Sequence, residues 1–344
     1  MSAFGCRPIR RQYPSTVFSA AKDADGYAIY GLYSETLAFR FKLSCEQRMH
    51  GFARRPQSDD VVCFARRPGE MAVVFDGESG SQRNLIESAS NRLFYGHGAY
   101  SADGRYLYAS ENAYQTGHGV IGIYDADAGY SRVGEFESGG IGPHEIILSA
   151  DGRQLVVANG GVRTHPSSGR KKLNLQTMES NITWIDLSTE VPVRTERLPG
   201  DHRQLSIRHI DINRYGSLVF ACQYYGDDGG TPQLFGREQN SGGLELTPLE
   251  LSALSRLGNY CGSVVALNEE IAVTSPRGNH FAWTKSNRTQ VALTRIGEVC
   301  GLFSTADHLI VSDGRGYVRR ISRNHPSQFR QRKYDQVLWD NHLG

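Results

Sequence analysis

The sequence lacks the features that mark membrane-spanning and nucleic-acid-binding proteins. No run of about 18 apolar residues occurs, so no segment is predicted to span a membrane. The 38 Lys and Arg residues are balanced by 36 Asp and Glu, and a formal charge of +2 gives no electrostatic reason to expect nucleic acid as a partner. No apolar stretch follows Arg10-Arg11, so the sequence as it stands does not predict an export signal.

Several catalytic and structural motifs are also missing. The six cysteines contain no C-x-x-C pair, which argues against a disulfide framework or a zinc knuckle and predicts small buried residues inside strands. No G-x-S-x-G motif is present, which excludes an α/β-hydrolase. The glycine-rich segments 139–142 and 226–230 are not followed by a predicted helix, so neither is expected to bind phosphate.

What the sequence does contain is a repeat. His50, His97 and His144 are separated by about 47 residues each, close to the length of a four-stranded propeller blade. The string Ser-Ala-Asp-Gly-Arg follows the first strand in two successive units, at 101–105 and 149–153. Alternating apolar and polar residues flank it, and the 38 glycines supply many tight turns.

Extending this register predicts an all-β protein, a single seven-bladed β-propeller of four-stranded antiparallel blades over residues 1–344. The blades are predicted to start near residues 16, 50, 97, 144, 209, 261 and 300. The long spacing between His144 and His209 indicates an insertion, which we place at 160–180 between two strands. A polar, basic loop of that length is either functional or a mobile surface loop.

Four histidines fall at the start of the first strand of consecutive blades: His50, His97, His144 and His209. That strand is the innermost of a blade, so four imidazoles are predicted to face one region of the channel mouth. Imidazole is a ligand for Fe, Cu and Zn, and the shared register therefore predicts a transition-metal site. The competing interpretation is structural, with Gly96-His97 fixing the strand entry by hydrogen bonds. His342 is expected to lie under the channel or to close the ring.

Other polar residues lie near the same level of the register. Glu111, Glu145 and Arg208 are candidates for further metal ligands or for hydrogen-bond partners of the histidines. A different set, Glu111, Asn112, Glu145 and Asn159, offers the acidic and amide oxygens that a metal-dependent, lactonase-like hydrolase would need. A third possibility is a protein-interaction scaffold with no metal, acting through the 160–180 loop.

Specific strings along the chain resemble one bacterial family, catalogued as domain of unknown function 1513. They include Tyr95-Gly96-His97-Gly98, Gly142-Pro143-His144-Glu145, Ser206-Ile207-Arg208-His209 and Trp339-Asp340-Asn341-His342. The resemblance implies a WD40-like propeller and, through twin-arginine export, a periplasmic location, with a cytoplasmic one as the alternative. Gene neighbourhoods with imelysin-like proteins imply periplasmic iron-uptake partners.

Taken together, these features favour a metal-binding propeller over an enzyme. The leading hypothesis is a periplasmic-type propeller that binds a transition metal, or a metal-bearing partner, at the histidine-lined channel mouth. The resemblance suggests iron, whereas the residues equally permit copper or zinc.

Overall fold

Seven four-stranded antiparallel sheets stand in a ring around a central channel. The computed structural model describes residues 14–200, 202–285, 291–324 and 328–344. The predicted seven-bladed β-propeller is therefore confirmed. Cys6, Arg10-Arg11 and His325 lie outside the described residues. In the described ranges, no helix is long and apolar enough to cross a membrane.

Blades 2 to 7 are each built from four consecutive strands, the first of which is innermost. Blade 2 comprises β4 to β7: Met49–Arg54, Asp60–Ala65, Met71–Asp76 and Gln82–Glu87. Blade 3 comprises β8 to β11: Leu93–Tyr100, Tyr106–Ala113, His118–Asp125 and Ser131–Glu137. Blade 4 comprises β12 to β15: Pro143–Leu148, Gln154–Asn159, Asn181–Asp186 and Val191–Arg197.

The second half of the ring follows the same plan. Blade 5 comprises β16 to β19: Leu205–Ile212, Leu218–Tyr224, Phe235–Glu238 and Leu244–Leu246. A short helix, α1 (Leu251–Arg256), leads to blade 6, formed by β20 to β23: Ser263–Leu267, Glu270–Ser275, His280–Lys285 and Ala292–Arg295. Blade 7 comprises β24 to β27: Val299–Ser304, His308–Asp313, Tyr317–Ser322 and Phe329–Lys333.

Blade 1 closes the ring by combining strands from both ends of the sequence. Its order is β28-β1-β2-β3, with β28 (Leu338–Leu343) innermost and β1 to β3 at Thr16–Asp23, Gly26–Tyr33 and Phe39–Cys45. Two backbone hydrogen bonds between Phe18 and Gly344, at 2.8 and 3.0 Å, join β1 to the segment after β28. The strand that begins at Thr16 is thus the second strand of its blade.

The repeated string Ser-Ala-Asp-Gly-Arg is explained by the turn that it forms. In blade 3 the carboxylate of Asp103 accepts hydrogen bonds from the Ser101 hydroxyl at 2.5 Å and from the Arg105 backbone N–H at 3.1 Å. Asp151 does the same in blade 4, at 2.6 and 3.1 Å. The glycine that follows each aspartate has a positive φ, at 76° for Gly104, which glycine adopts without steric cost.

The apolar core lies between the blades and not in the channel. Buried clusters fill the contacts between neighbouring sheets, for example Phe18, Phe41 and Phe75 between blades 1 and 2. Aliphatic and aromatic residues of the two middle strands supply most of these clusters, since both faces of those strands are covered. The innermost strands carry polar side chains into the channel, together with a few apolar ones such as Phe52, Val264 and Leu302.

The innermost strands are irregular where they pass the channel. Pairing with the second strand breaks between Met49 and Phe52, between Phe94 and Gly98, and between Pro143 and Ile146. β16 and β28 are also irregular, around 207–209 and 339–343. Such bulges change the direction of a side chain, and a histidine lies in or beside each of these five.

The insertion predicted at 160–180 is a connection between β13 and β14 that contains two short helical turns. It is packed against the propeller, because Val162, Thr164 and Met178 are buried. Asn112 donates a hydrogen bond from Nδ2 to the Thr164 carbonyl at 3.2 Å. Since Asn159 pairs with Pro143, the loop lies at the end of the ring where the innermost strands begin, here called the entry face.

Candidate metal centre

Five histidines from five innermost strands meet in the channel: His50, His97, His144, His209 and His342, here called the channel histidines. Neighbouring rings around the set have centroids 4.3 to 5.0 Å apart. All five residues are 2 to 6% exposed. The four histidines expected from the repeat therefore lie together, and blade 1 contributes a fifth.

Two glycines allow the first two rings to approach each other. A Cβ atom on Gly96 would lie 2.7 Å from Cδ2 of His50, and Gly96 has a φ of 102°. A Cβ atom on Gly51 would lie 2.5 Å from the Gly96 carbonyl oxygen and 2.8 Å from Nδ1 of His97. The glycines in His50-Gly51 and Gly96-His97 are therefore a packing requirement of the cluster.

Hydrogen bonds fix the orientation of two imidazoles. Nδ1 of His144 lies 3.0 Å from the backbone carbonyl of Arg208. Since a carbonyl only accepts, Nδ1 carries the proton and Nε2 of the neutral ring keeps its lone pair. Nδ1 of His209 lies 3.2 Å from Oε2 of Glu145, an arrangement typical of metal-bound histidine.

Glu145 links two of the rings. Its Oε2 also accepts a hydrogen bond from the Ile210 backbone N–H at 2.9 Å, and its Oε1 lies 3.7 Å from Nδ1 of His97. The side chain is 23% exposed, yet desolvation raises the pKa of its carboxyl to about 7. Glu145 is therefore a carboxylate whose charge is poorly compensated by the groups around it.

Several ring nitrogens lack a partner within the described part of the chain. Nε2 of His97 and Nε2 of His342 are buried without a hydrogen bond, and so is Nδ1 of His50. Nδ1 of His342 lies 3.4 Å from the Ser263 hydroxyl, which leaves Nε2 as the unused atom of that ring. Buried polar atoms are rarely left unpaired, so these nitrogens indicate a ligand or ordered water between the rings.

Burial keeps the imidazoles neutral. Desolvation lowers the pKa values of His209 and His342 to about 3. The pKa values of His50, His97 and His144 also fall well below the usual range, first through desolvation and then through the other channel histidines and nearby arginines, beside which a further positive charge is unfavourable. A neutral imidazole is the form that coordinates a metal.

The spacing of the nitrogens suits a single ion. In two overlapping groups, His50-His97-His144 and His97-His209-His342, one ligand atom per residue lies within 4.8 Å of the others. His97 belongs to both. The channel beside the second group forms a cavity of about 70 Å³, lined in part by His97, His209, His342 and Glu145. That volume fits an ion with a few waters and is small for an organic substrate.

The structure does not bring the hydrolase set together. Glu111 is fully buried within blade 3, where it accepts hydrogen bonds from the Tyr124 hydroxyl at 2.6 Å and from Arg132 at 2.9 Å. Asn159 bonds to Ser138 and Asn181 in blade 4, at 2.8 and 2.9 Å. Asn112 bonds to the 160–180 loop. Of this set, only Glu145 faces the channel.

Two residues near the cluster were not predicted from the sequence. Asp340 is buried, with Oδ1 3.8 Å from Nδ1 of His50 and 3.4 Å from Nη1 of Arg66, and it also pairs with Arg48. Ser263, the first residue of β20, has its hydroxyl 3.4 Å from Nδ1 of His342 and lines the same cavity as His209. The string Asp340-Asn341-His342 was the available signal, because an aspartate two residues before a histidine shares its side of a strand.

Comparison with known proteins places the chain in a family. The family described as protein of unknown function (DUF1513) matches residues 43–344, and the chain belongs to it. No curated protein shows significant sequence similarity to the chain. Among solved structures, hydrazine synthase of Kuenenia stuttgartiensis is similar, with a TM-score of 0.62 and 13% identity over 98% of this chain and 100% of that chain. At that identity the likeness shows the propeller fold alone.

Proposed function

We propose that this propeller binds one transition-metal ion between the channel histidines, as a binding protein and not as a hydrolase. The observation that carries the proposal is the convergence of five neutral imidazoles from five blades, in which Nε2 of His97 and Nε2 of His342 have no partner among the described residues. A structural role in strand entry would predict that each histidine bonds within its own blade, whereas His144 bonds to Arg208 of blade 5 and His209 to Glu145 of blade 4.

The ion would be held mainly by nitrogen. His97, His209 and His342 each offer one ring nitrogen beside the cavity, and Glu145 bonds to Nδ1 of His209 and can supply an oxygen. Imidazole with one carboxylate suits Fe, Cu or Zn. A cation would also lower the pKa of Glu145 and compensate its buried charge.

The family resemblance extends the proposal to iron. If the ion is iron, the propeller would act in the periplasm as a carrier or docking platform for iron-uptake proteins. The 160–180 loop on the entry face would then be a contact for such a partner. The metal site and the partner are separate claims, because deleting the loop should abolish partner capture without changing metal content.

The first test is elemental analysis of tag-free full-length protein purified without chelators. We expect about one metal ion per chain, and none in a His97→Ala/His144→Ala double variant. His118→Ala is the matched control, because His118 is exposed at the start of β10 in blade 3 and the change should leave the metal content unchanged. Circular dichroism checks that each variant is folded.

Two outcomes would overturn the proposal. Wild-type protein could remain metal-free after incubation with Fe, Cu and Zn, or the folded double variant could retain its metal. Either result would leave the histidines as packing residues. Should the double variant fail to fold, Glu145→Gln with His209→Gln gives a milder test of the same site.

A further inference from the structure

A second group of charged residues lies on the entry side of the channel histidines. Arg66 and Arg67 follow β5, whose last residue Ala65 pairs with Met49 at the start of β4. Arg208 precedes His209 in the irregular part of β16. These arginines occupy the side of the ring away from the cavity, which is lined by later residues of the innermost strands, such as Phe52 and Leu343.

The arginines of this group differ in how their charge is compensated. Asp340 pairs with Arg48 and Arg66. Among the described residues, no ion pair joins Arg67 or Arg208 to a carboxylate, and each has a buried nitrogen without a partner, Nη1 of Arg67 and Nε of Arg208. Arg208 is only 5% exposed. Buried, unpaired guanidinium groups are costly and uncommon.

The surroundings of these two arginines add positive charge. Desolvation, followed by the like charge of Arg208, lowers the pKa of Arg67 to about 10, and Arg170 acts in the same direction. Arg170 belongs to the 160–180 loop. Lys172 of that loop has Nζ 4.3 Å from the ring centre of Tyr225. Tyr225 is itself close enough to Arg67 to act on the pKa of that arginine. Two basic residues of the loop thus lie near the same two arginines.

The packing around Arg208 and Arg67 fixes the positions of both side chains. A Cβ atom on Gly160, the first residue of the loop, would lie 3.1 Å from Nη1 and 3.2 Å from Cδ of Arg208. Arg67 lies over the ring of Tyr95, with Cζ 5.7 Å from its centre. Tyr95 contacts the loop in turn, its hydroxyl lying 3.5 Å from Oγ1 of Thr164. Both guanidinium groups are therefore held by packing and not by acids.

We propose that Arg67 and Arg208, with Arg170 and Lys172 above them, form a binding site for a small oxyanion with a carboxylate or phosphate group. The planar donors of arginine bind such groups in pairs of parallel hydrogen bonds. An anion would satisfy the two unpartnered nitrogens and compensate two like charges at once. This site does not rest on the proposed metal function. Arg67, Arg170 and Lys172 are not candidate metal ligands. Arg208 was a candidate in the sequence, but it bonds to His144 through its backbone carbonyl and is not among the donors proposed for the ion.

The test measures anion binding to metal-free, full-length protein by calorimetry and by the urea midpoint. The probes are citrate and inorganic phosphate, with chloride at matched ionic strength. We expect one or both oxyanions to bind and to raise the midpoint beyond chloride. Citrate alone would identify a carboxylate ligand, and phosphate alone a phosphate group. Equal effects of all three salts would overturn the proposal.

Arg67→Met provides the discriminating variant. It should weaken oxyanion binding at least tenfold, because a charge-assisted pair of hydrogen bonds is lost. Without anion it should unfold at an equal or higher urea concentration than wild type, since it removes a half-buried charge that no carboxylate of the described residues pairs. Arg153→Met is the control: it makes the same charge change on an exposed turn and should leave both quantities unchanged.

Two results with these variants would contradict the site. In one, Arg67→Met lowers the anion-free midpoint and leaves the response to oxyanion intact, which would make Arg67 a structural residue. In the other, Arg153→Met weakens oxyanion binding as much as Arg67→Met, which would indicate a general charge effect. Metal content, measured in parallel, should stay the same in both variants.

Discussion

Replacing Glu145 by glutamine should strengthen the metal-free fold and weaken metal binding. The amide has the shape of the carboxyl, and its oxygen can still accept the hydrogen bond from the Ile210 backbone N–H. What the change removes is a charge that lies among neutral imidazoles. The two effects should have opposite signs because a carboxylate that is costly in the empty site is useful beside a cation.

The magnitude follows from the raised pKa. A folded-state pKa of about 7 in place of 4.5 means that the unfolded chain releases the Glu145 proton first, so stability falls as pH rises from about 4.5 to 7. The full loss corresponds to at most about 3 kcal/mol. Because the side chain is 23% exposed, solvent screening reduces this loss, and we expect the free energy of unfolding to fall by about 1 to 3 kcal/mol.

The assay is urea unfolding of metal-free wild type and Glu145→Gln at pH 4.5 and pH 8. The variant should be more stable at pH 8 and equal to wild type at pH 4.5. Glu46→Gln, a change at an exposed position, should show no difference at either pH. In the same samples, metal affinity of Glu145→Gln should fall about 10- to 100-fold, as expected for loss of the group that orients His209.

The reasoning would be refuted if Glu145→Gln were less stable than wild type at pH 8. That outcome would mean that the carboxylate stabilises the empty cluster, and that the rings of His97 and His209 are not both neutral. Unchanged metal affinity would instead refute the link between Glu145 and His209, while leaving the electrostatic argument intact.

Three further predictions follow from the packing and the charges. Gly96→Ala should lower the free energy of unfolding by about 2 kcal/mol or more, since the new Cβ would overlap His50 and the residue has a φ of 102°. Gly229→Ala is the control: it has a positive φ but open space around it, and should cost about 1 kcal/mol. Equal costs in urea unfolding would contradict the packing argument. Trp339→Ala should lower the free energy of unfolding by about 3 kcal/mol and lower the metal content, because Trp339 is buried on the strand that carries His342. Full metal content in a destabilised variant would argue against a ligand on β28. As the pH falls from 6.5 to 5.5, the free energy of unfolding of metal-free protein should fall by about 1 kcal/mol per channel histidine, because these histidines bind protons in the unfolded chain but stay neutral when buried. Urea midpoints that do not change with pH would refute their burial as neutral groups.

The blades were predictable because their turns have local causes. Asp103 and Asp151 form the same hydrogen-bonded turn in consecutive blades, and the spacing of the histidines gave the period. The composition of β28 contains no comparable signal. Ring closure depends on which distant strand β1 accepts as a partner, and residues 338–343 pair with it only through the tertiary structure.

The candidate site was predictable only in part for a similar reason. His50, His97, His144 and His209 share a repeat position, so the sequence could group them. His342 belongs to the same ring, but its strand enters from the other end of the chain, and sequence spacing carries no information on that contact. The channel therefore has more imidazoles than the repeat revealed.

Glu111 shows the opposite limit. It lies near His97 in sequence and on a strand of the same blade, which made it a candidate ligand. A position on the second strand, however, points its carboxylate toward Tyr124 and Arg132 inside the sheet. Alternation along one strand can be read from the sequence, whereas the direction of a side chain after a turn depends on the pairing register.

Four of the five cysteines in the described residues are buried, as the sequence suggested: Cys63, Cys222, Cys261 and Cys300. Burial raises the pKa of the Cys261 thiol to about 12 and raises those of Cys63 and Cys222 as well. Their thiolates are therefore suppressed at neutral pH, and thiolate ligation or nucleophilic chemistry by these residues is disfavoured.

The joining of blade 1 by strands from both ends of the sequence has a kinetic consequence. In the proposed metal-bound state, His97, His209 and His342 would be linked by one ion across stretches of more than a hundred residues. Separating β28 from β1 would then no longer be enough to open the ring, because the ion would still hold that strand to blades 3 and 5. The bound ion would act as a removable cross-link, so that the lifetime of the folded ring would depend on the rate at which the metal leaves.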